Sequence, residues 1–341
     1  VHTRYERTYD GLPVLGGDLV VHESKSGATE GVSKATKATI KVASLTPKVT
    51  VAKAETQALS AAKAAGSDKT AADGARKVIW AGDGTPVLAY ETIVGGFQDD
   101  GTPNQLHVIT DAATGKKLYE YQGIENATGT GKSLYSGTVS LSTTLSGSTY
   151  NLTDATRGNH KTYNKSHGTS SSAGTLFTDA DNVWGTGAAS SSTADQTAAV
   201  DAAYGAQVTW DFYKSTFGRS GIRNDGKAAY SRVHYGNAYV NAFWDDDCFC
   251  MTYGDGEGNV NPLTSLDVAG HEMSHGLTSV TAGLEYENEA GGLNEATSDI
   301  LGTGVEFFAN NSADKGDYLI GEKIDINGDG TPLRYMDKPS K

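Results

Sequence analysis

The run His271-Glu272-Met273-Ser274-His275 is where this sequence is best equipped for chemistry. On a helix, positions i and i+4 share a face, so both imidazoles can reach one ion. Leu266, Val268, Ala269, Leu277 and Val280 give the surrounding stretch a helical apolar pattern. Glu272 then points to the neighbouring side, where it can hold a water without occupying the ion. Chance places such a five-residue pattern in roughly one chain of this composition in a hundred, so alone it is strong but not decisive. The second element is Gly291-Gly292-Leu293-Asn294-Glu295-Ala296-Thr297-Ser298-Asp299, in which Glu295 follows His275 with nineteen residues between. If it opens a second helix, antiparallel to the first across a turn near Gly283, Glu295 supplies a third, carboxylate ligand. Two His and one Glu with an open fourth position make a catalytic zinc site. Asp299, one turn beyond Glu295, can accept the second ring N–H of a ligand histidine and fix its tautomer.

Elements must exist to carry these residues. Residues 1–22 alternate as strands with a turn at Asp10-Gly11, and 23–46 read as a loop or ragged edge. Val51 to Ala65, rich in Ala and Lys and stopped by Gly66, reads as a helix. Four strand-like runs follow, at 75–81, 87–94, 105–110 and 116–122, parted by turn signals such as Asp99-Asp100-Gly101. One helix and four strands make a small α+β module. Composition shifts near Gly123. Residues 123–192 are rich in Gly, Ser and Thr and read as twisted antiparallel sheet with long loops, a disordered linker being the alternative. Apolar spacing over 194–217, 264–281 and 291–309 predicts three helices, with strands at 228–235 and 238–244.

Bulk properties narrow the class. The chain has 341 residues and a formal net charge of −13, with no basic run, which argues against a nucleic-acid partner. The acidity suits solubility and also supplies carboxylates for hard cations. No apolar stretch reaches 18 residues, so no membrane span is expected, and no signal peptide is visible. Without an initiator Met, Val1 is not expected to be the natural start. Cys248 and Cys250 flank Phe249, where strand alternation leaves both a local disulfide and two free thiols open.

The strings Gly270-His271-Glu272-Met273-Ser274-His275-Gly276 and Gly291 to Asp299 resemble the two signatures of the thermolysin-like metallopeptidases. Asn241-Ala242-Phe243-Trp244 is similar to the family's substrate-binding edge strand, and Tyr253-Gly254-Asp255-Gly256 follows as expected. Residues 1–22 and 48–122 resemble propeptide modules. The resemblance implies an α+β chain: a cystatin-like propeptide module followed by the N-terminal, sheet-rich zincin-like half of a thermolysin-type catalytic domain. Its boundaries would be 1–47, 48–122 and 123–341. The helical domain that normally follows is expected to be absent, with its oxyanion-donating histidine.

Carried over position by position, His271, His275 and Glu295 match zinc ligands, Glu272 the general base and Asp299 the partner of a ligand histidine. Tyr286 falls where the family places a hydroxyl donor to the transition state. Asn241, Ala242 and Phe243 would hold substrate as an added strand. Val268, Ile320 and Leu333 would line an apolar primed-side pocket beside Arg334. Asp267, Glu306 and Asp317 match calcium ligands, with Glu322 and the Leu319 carbonyl as additions, and one ion is expected there. Asp325-Ile326-Asn327-Gly328-Asp329-Gly330 resembles half an EF-hand loop but lacks its closing glutamate, so it reads first as an acidic turn.

The implied function is a secreted, monomeric zinc endopeptidase precursor acting on protein or peptide substrates, with its own propeptide as partner. The implied cofactors are one zinc and at least one calcium. The runner-up is an inactive zinc-binding fragment whose propeptide acts as chaperone and inhibitor.

Overall fold

The computed structural model describes residues 1–98 and 103–339; the turn expected at Asp99-Asp100-Gly101 lies outside the described residues. The chain divides into two compact units, Val1–Ile124 and Glu125–Lys341.

In the first unit, helix α1 (Val51–Ala64) begins where the Thr50 side chain accepts the Lys53 N–H, satisfying a backbone donor that the first turn cannot. Its buried face is alanine alone: Ala54, Ala58, Ala61 and Ala62. Small side chains let the helix lie close over Val94, Leu106 and Val108 of the sheet beneath. The strands run in the order His2–Tyr9, Leu12–Glu23, Asp68–Trp80, Val87–Phe97, Leu106–Asp111, Lys117–Gln122. Parallel pairing of Val14 with Ile79 and Leu15 with Trp80 bridges the boundary expected at 47/48, so both stretches share one sheet and one unit. Residues 29–34, expected in a loop or ragged edge, form an edge strand on Leu12–Glu23.

The second unit has two main sheets and three long helices. The Ser/Thr/Gly-rich stretch is ordered, because several of its sparse apolar residues point inward: Val139, Leu141, Leu152 and Trp184 are core. Helix α2 (Thr197–Phe217) buries an alanine stripe, helix α3 (Leu266–Val280) is buried along most of its length, and helix α4 (Asn288–Ala309) follows after a short turn. Glycines set the helix spacing. A Cβ on Gly205 would stand 2.4 Å from Ala269 Cβ, and one on Gly302 would stand 2.5 Å from the Asp267 carbonyl oxygen. The Tyr213 hydroxyl on α2 meets Ser274 Oγ on α3 at 2.7 Å. Strand Ala242–Asp245 ends one sheet, paired on a single side with Cys250–Tyr253. Cys248 and Cys250 form a disulfide across Phe249, whose left-handed backbone (φ 53°) supplies the bend that a flat strand would not. Among the described residues, no helix is long and apolar enough to cross a membrane.

Candidate metal centre

Helix α3 presents His271 and His275 on one face, with their Nε2 atoms 2.9 Å apart. Helix α4 brings Glu295 to the same point, 3.3 Å from His271 Nε2 and 3.5 Å from His275 Nε2. The outer ring nitrogens are already engaged. Asp299 Oδ1 lies 2.8 Å from His271 Nδ1, and Asn294 Oδ1 lies 2.7 Å from His275 Nδ1. The Asn294 amide is held that way round because its nitrogen donates to the Leu284 carbonyl. Both imidazoles therefore carry a proton on Nδ1, which leaves their two Nε2 atoms and a carboxylate to converge on one point. Such a donor set can hold a cation, and its ligand types suit zinc.

Electrostatics sharpen the site. Burial works against charge on His271, but Asp299 and Glu295 outweigh it and push the imidazolium up to about 9. A hydrogen bond from His271, against some burial and with help from Tyr286, holds Glu295 down to about 2. The Tyr286 hydroxyl donates to Glu295 Oε1. Glu272 is buried beside the ligands, and burial pushes its carboxyl up to about 7, with His271 opposing and Glu295 assisting. A bound dication would draw it down. Arg334 grips Asp299 with two donors at 2.7 and 2.6 Å. Despite burial, His271 and Arg334 keep the Asp299 carboxyl below its ordinary range.

These groups open into a cleft of about 820 Å³ lined by Asn241, Ala242, Phe243, Val268, Leu333 and Arg334 as well as the metal-centre residues. Ile320 does not line it: this side chain is fully buried, on a strand paired with Arg334. Leu263 and Ile326 provide apolar wall instead. Sequence reasoning passed over Asn294, although it stands next to Glu295 inside the quoted motif.

A second carboxylate cluster joins Glu306, Asp314 and Glu322, with one oxygen from each within 4.8 Å of the others. Burial, then the charges of Asp267 and Asp314, pushes Glu306 up to about 9. Burial and Asp267 likewise push Glu322 to about 7 and Asp314 to about 6. Both Asp314 oxygens and Glu322 Oε2 are buried without a hydrogen bond, and Lys323 Nζ approaches Asp314 only to 3.8 Å. A hard divalent cation would relieve all three. Asp317 lies outside that trio: its carboxylate accepts the Leu319 N–H and its own N–H donates to Glu306. Asp267 is occupied by Ser265, Val268 and Gly321. Asp314 was missed because Asp317, three residues on, was matched to a ligand position instead. In the acidic loop, Asp325 Oδ1 accepts the N–H groups of Asp329 and Gly330, which makes it a self-capped turn.

Three family models match the chain. They are the thermolysin metallopeptidase catalytic domain at 128–279, the thermolysin metallopeptidase alpha-helical domain at 282–341, and the fungalysin/thermolysin propeptide motif at 1–36. The second corrects the expectation that the helical domain is absent: its match starts in the turn after α3 and includes the whole of α4. The expectation failed because Glu295 completes the ligand set of α3, so the two helices read as one domain. A transglutaminase-activating metalloprotease of Streptomyces mobaraensis is 67% identical over 342 residues, covering 100% of this chain and 44% of that protein. Thermolysin of Alicyclobacillus acidocaldarius subsp. acidocaldarius is 36% identical over 366 residues, covering 99% of this chain and 64% of that protein. A bacillolysin of Bacillus cereus is 34% identical over 371 residues, covering 99% and 63%. The chain thus spans less than two thirds of each relative. The solved precursor of protealysin, a metalloproteinase from Serratia proteamaculans, overlays 48% of each chain at 36% identity with a TM-score of 0.39, too partial a match to bear on the fold.

Proposed function

We propose, because the chain belongs to the thermolysin metallopeptidase family, that it carries the metal centre of a secreted zinc endopeptidase in precursor form. The observation that supports this most is the convergence of His271, His275 and Glu295 beside a buried glutamate in a cleft flanked by a sheet edge. When bound, zinc supplies a Lewis acid for the scissile carbonyl and makes water more acidic. Ala242, on the open side of strand Ala242–Asp245, presents backbone groups that can pair with an extended peptide, with the side chains of Asn241 and Phe243 beside it in the cleft. Glu272 takes one proton as the water oxygen attacks the carbonyl carbon, then gives it to the amine nitrogen as the C–N bond breaks. Tyr286 turns its hydroxyl from Glu295 toward the developing oxyanion. Arg334 holds Asp299, and Asp299 holds His271 in the right tautomer.

The apolar wall of Val268, Leu263, Ile326 and Leu333 favours bulky hydrophobic residues on the primed side. Residues 1–124 serve as the propeptide, with a cystatin-like helix-on-sheet design. Glu306, Asp314 and Glu322 hold a structural calcium, with Asp267 behind them. The chain works as a monomer. The relative's name makes activation of a transglutaminase a candidate task.

The test is cleavage of a peptide library by the zinc-loaded chain. Glu272→Gln should lower kcat by about 10²–10⁴-fold while zinc content is unchanged. A Glu272→Gln chain as active as the parent would remove Glu272 from the mechanism.

A further inference from the structure

Asp255, in the run Tyr253-Gly254-Asp255-Gly256, takes no part in the chemistry above, yet it is one of the most deeply buried carboxylates in the second unit (2% exposed). The ion-pair partners of this buried charge among the described residues are two imidazoles on separate loops. Its Oδ2 lies 2.7 Å from His234 Nδ1 and 3.0 Å from His167 Nε2. Both histidines have left-handed backbones, and a bond from the His167 N–H to the His234 carbonyl (2.8 Å) locks the loops together.

The hydrogen-bond arithmetic at this cluster does not close with neutral side chains. His234 Nε2 faces the Asp195 carbonyl at 3.1 Å, and a carbonyl can only accept, so that nitrogen carries a proton. A neutral His234 then aims its Nδ1 lone pair at a carboxylate oxygen. The other oxygen, Asp255 Oδ1, is buried with no hydrogen bond at all. Either an extra proton or a cation must sit between these groups. One atom each from His167, His234 and Asp255 lie within 4.8 Å of one another, compact enough for a single ion. A small pocket lined by Leu134, Ser190, Thr197 and Pro262 lies against His234 and Asp255.

We propose that His167, His234 and Asp255 form a second metal site, distinct from the His271–His275–Glu295 centre, for a first-row divalent ion of the zinc or cobalt class. Two imidazoles and one carboxylate suit that class and are poor donors for calcium or magnesium. The ion would cross-link the 165–168 loop to the strand end at His234 and to the Asp255 turn, giving a structural role.

The test is zinc and cobalt(II) titration of the chelator-stripped full chain, read by elemental analysis and cobalt absorption. Two equivalents are expected in the parent, one in His167→Gln, one in His275→Gln and none in the double variant. His167→Gln is the mild choice because that side chain is partly exposed; Asp255→Asn serves as the second variant. Added zinc should raise the Tm of His275→Gln and leave that of the double variant unmoved. A parent that binds one equivalent, lost entirely in His275→Gln, would overturn the second site and leave the first standing. Two equivalents retained in both His167→Gln and Asp255→Asn would also overturn it. Failure of the first site alone would show instead as metal that survives His275→Gln but is lost in His167→Gln.

Discussion

At the scale of single residues, the centre depends on groups that never touch the ion. Asp299 and Asn294 engage both Nδ1 atoms, so Nε2 of each histidine is the nitrogen turned toward the ion. Asp299→Asn should weaken zinc binding by roughly 10–100-fold, measured by competition with a chelating dye. Unchanged affinity would mean the helices alone orient His271. Tyr286→Phe should lower kcat by about 10²–10³-fold with zinc affinity little changed, since its hydroxyl is needed only as charge develops. Far from the cleft, His160 is buried against Ser231 at 2.9 Å, and burial pushes its imidazole down to about 4. The folded protein therefore keeps His160 neutral where the unfolded chain, near 6.5, takes up a proton. Its contribution to stability is complete above pH 6.5 and is lost as pH falls from there to about 4, on the order of 3 kcal/mol in all. His160→Gln should flatten the urea midpoint over that window; an acid slope equal to the parent's would assign the sensitivity elsewhere.

At the scale of elements, the helices can share an ion because glycines bring them close. Gly302→Ala would drive a methyl into the Asp267 carbonyl and push α4, with Glu295, away from α3. We expect a loss of about 1–3 kcal/mol in denaturant unfolding, with weaker zinc binding alongside. A stable variant with normal zinc binding would show that the spacing is set by other contacts. The helices themselves were legible in the sequence, since α2, α3 and α4 each carry an apolar period long enough to exclude a strand. The pairing of His271 with His275 was legible for the same reason, since residues four apart on a helix share a face, whereas Glu295 was placed beside them by the spacing of the second motif. What was not legible depended on loops. Asp314 reaches Glu306 and Glu322 through an irregular segment with no period to read. Ile320 was placed in the cleft by resemblance, but strand pairing turns it into the core. The disulfide needed a left-handed Phe249, which spacing does not reveal.

At the scale of the molecule, the second unit concentrates negative charge in its interior, and cations are the natural counterweight. Occupying the Glu306–Asp314–Glu322 cluster at a hundred times Kd would add about 2.7 kcal/mol to stability. For a unit of this size that corresponds to a Tm roughly 5–10 °C higher with calcium than with a calcium-selective chelator. In Asp314→Asn most of that difference should vanish, and a full calcium response in that variant would move the ion elsewhere. The N-terminal unit was foreseen as two modules because the polar 23–46 stretch looked like a break. The parallel Val14–Ile79 pairing, between residues 65 apart in sequence, is non-local and left no mark in local composition.

The proposed chemistry needs one zinc held between α3 and α4. The most direct measurement is an anomalous difference map at the zinc edge from crystals of the zinc-loaded chain. A peak is expected about 2.0–2.2 Å from His271 Nε2, His275 Nε2 and a Glu295 oxygen. A map with no peak among those three atoms, from protein shown to contain zinc, would contradict it.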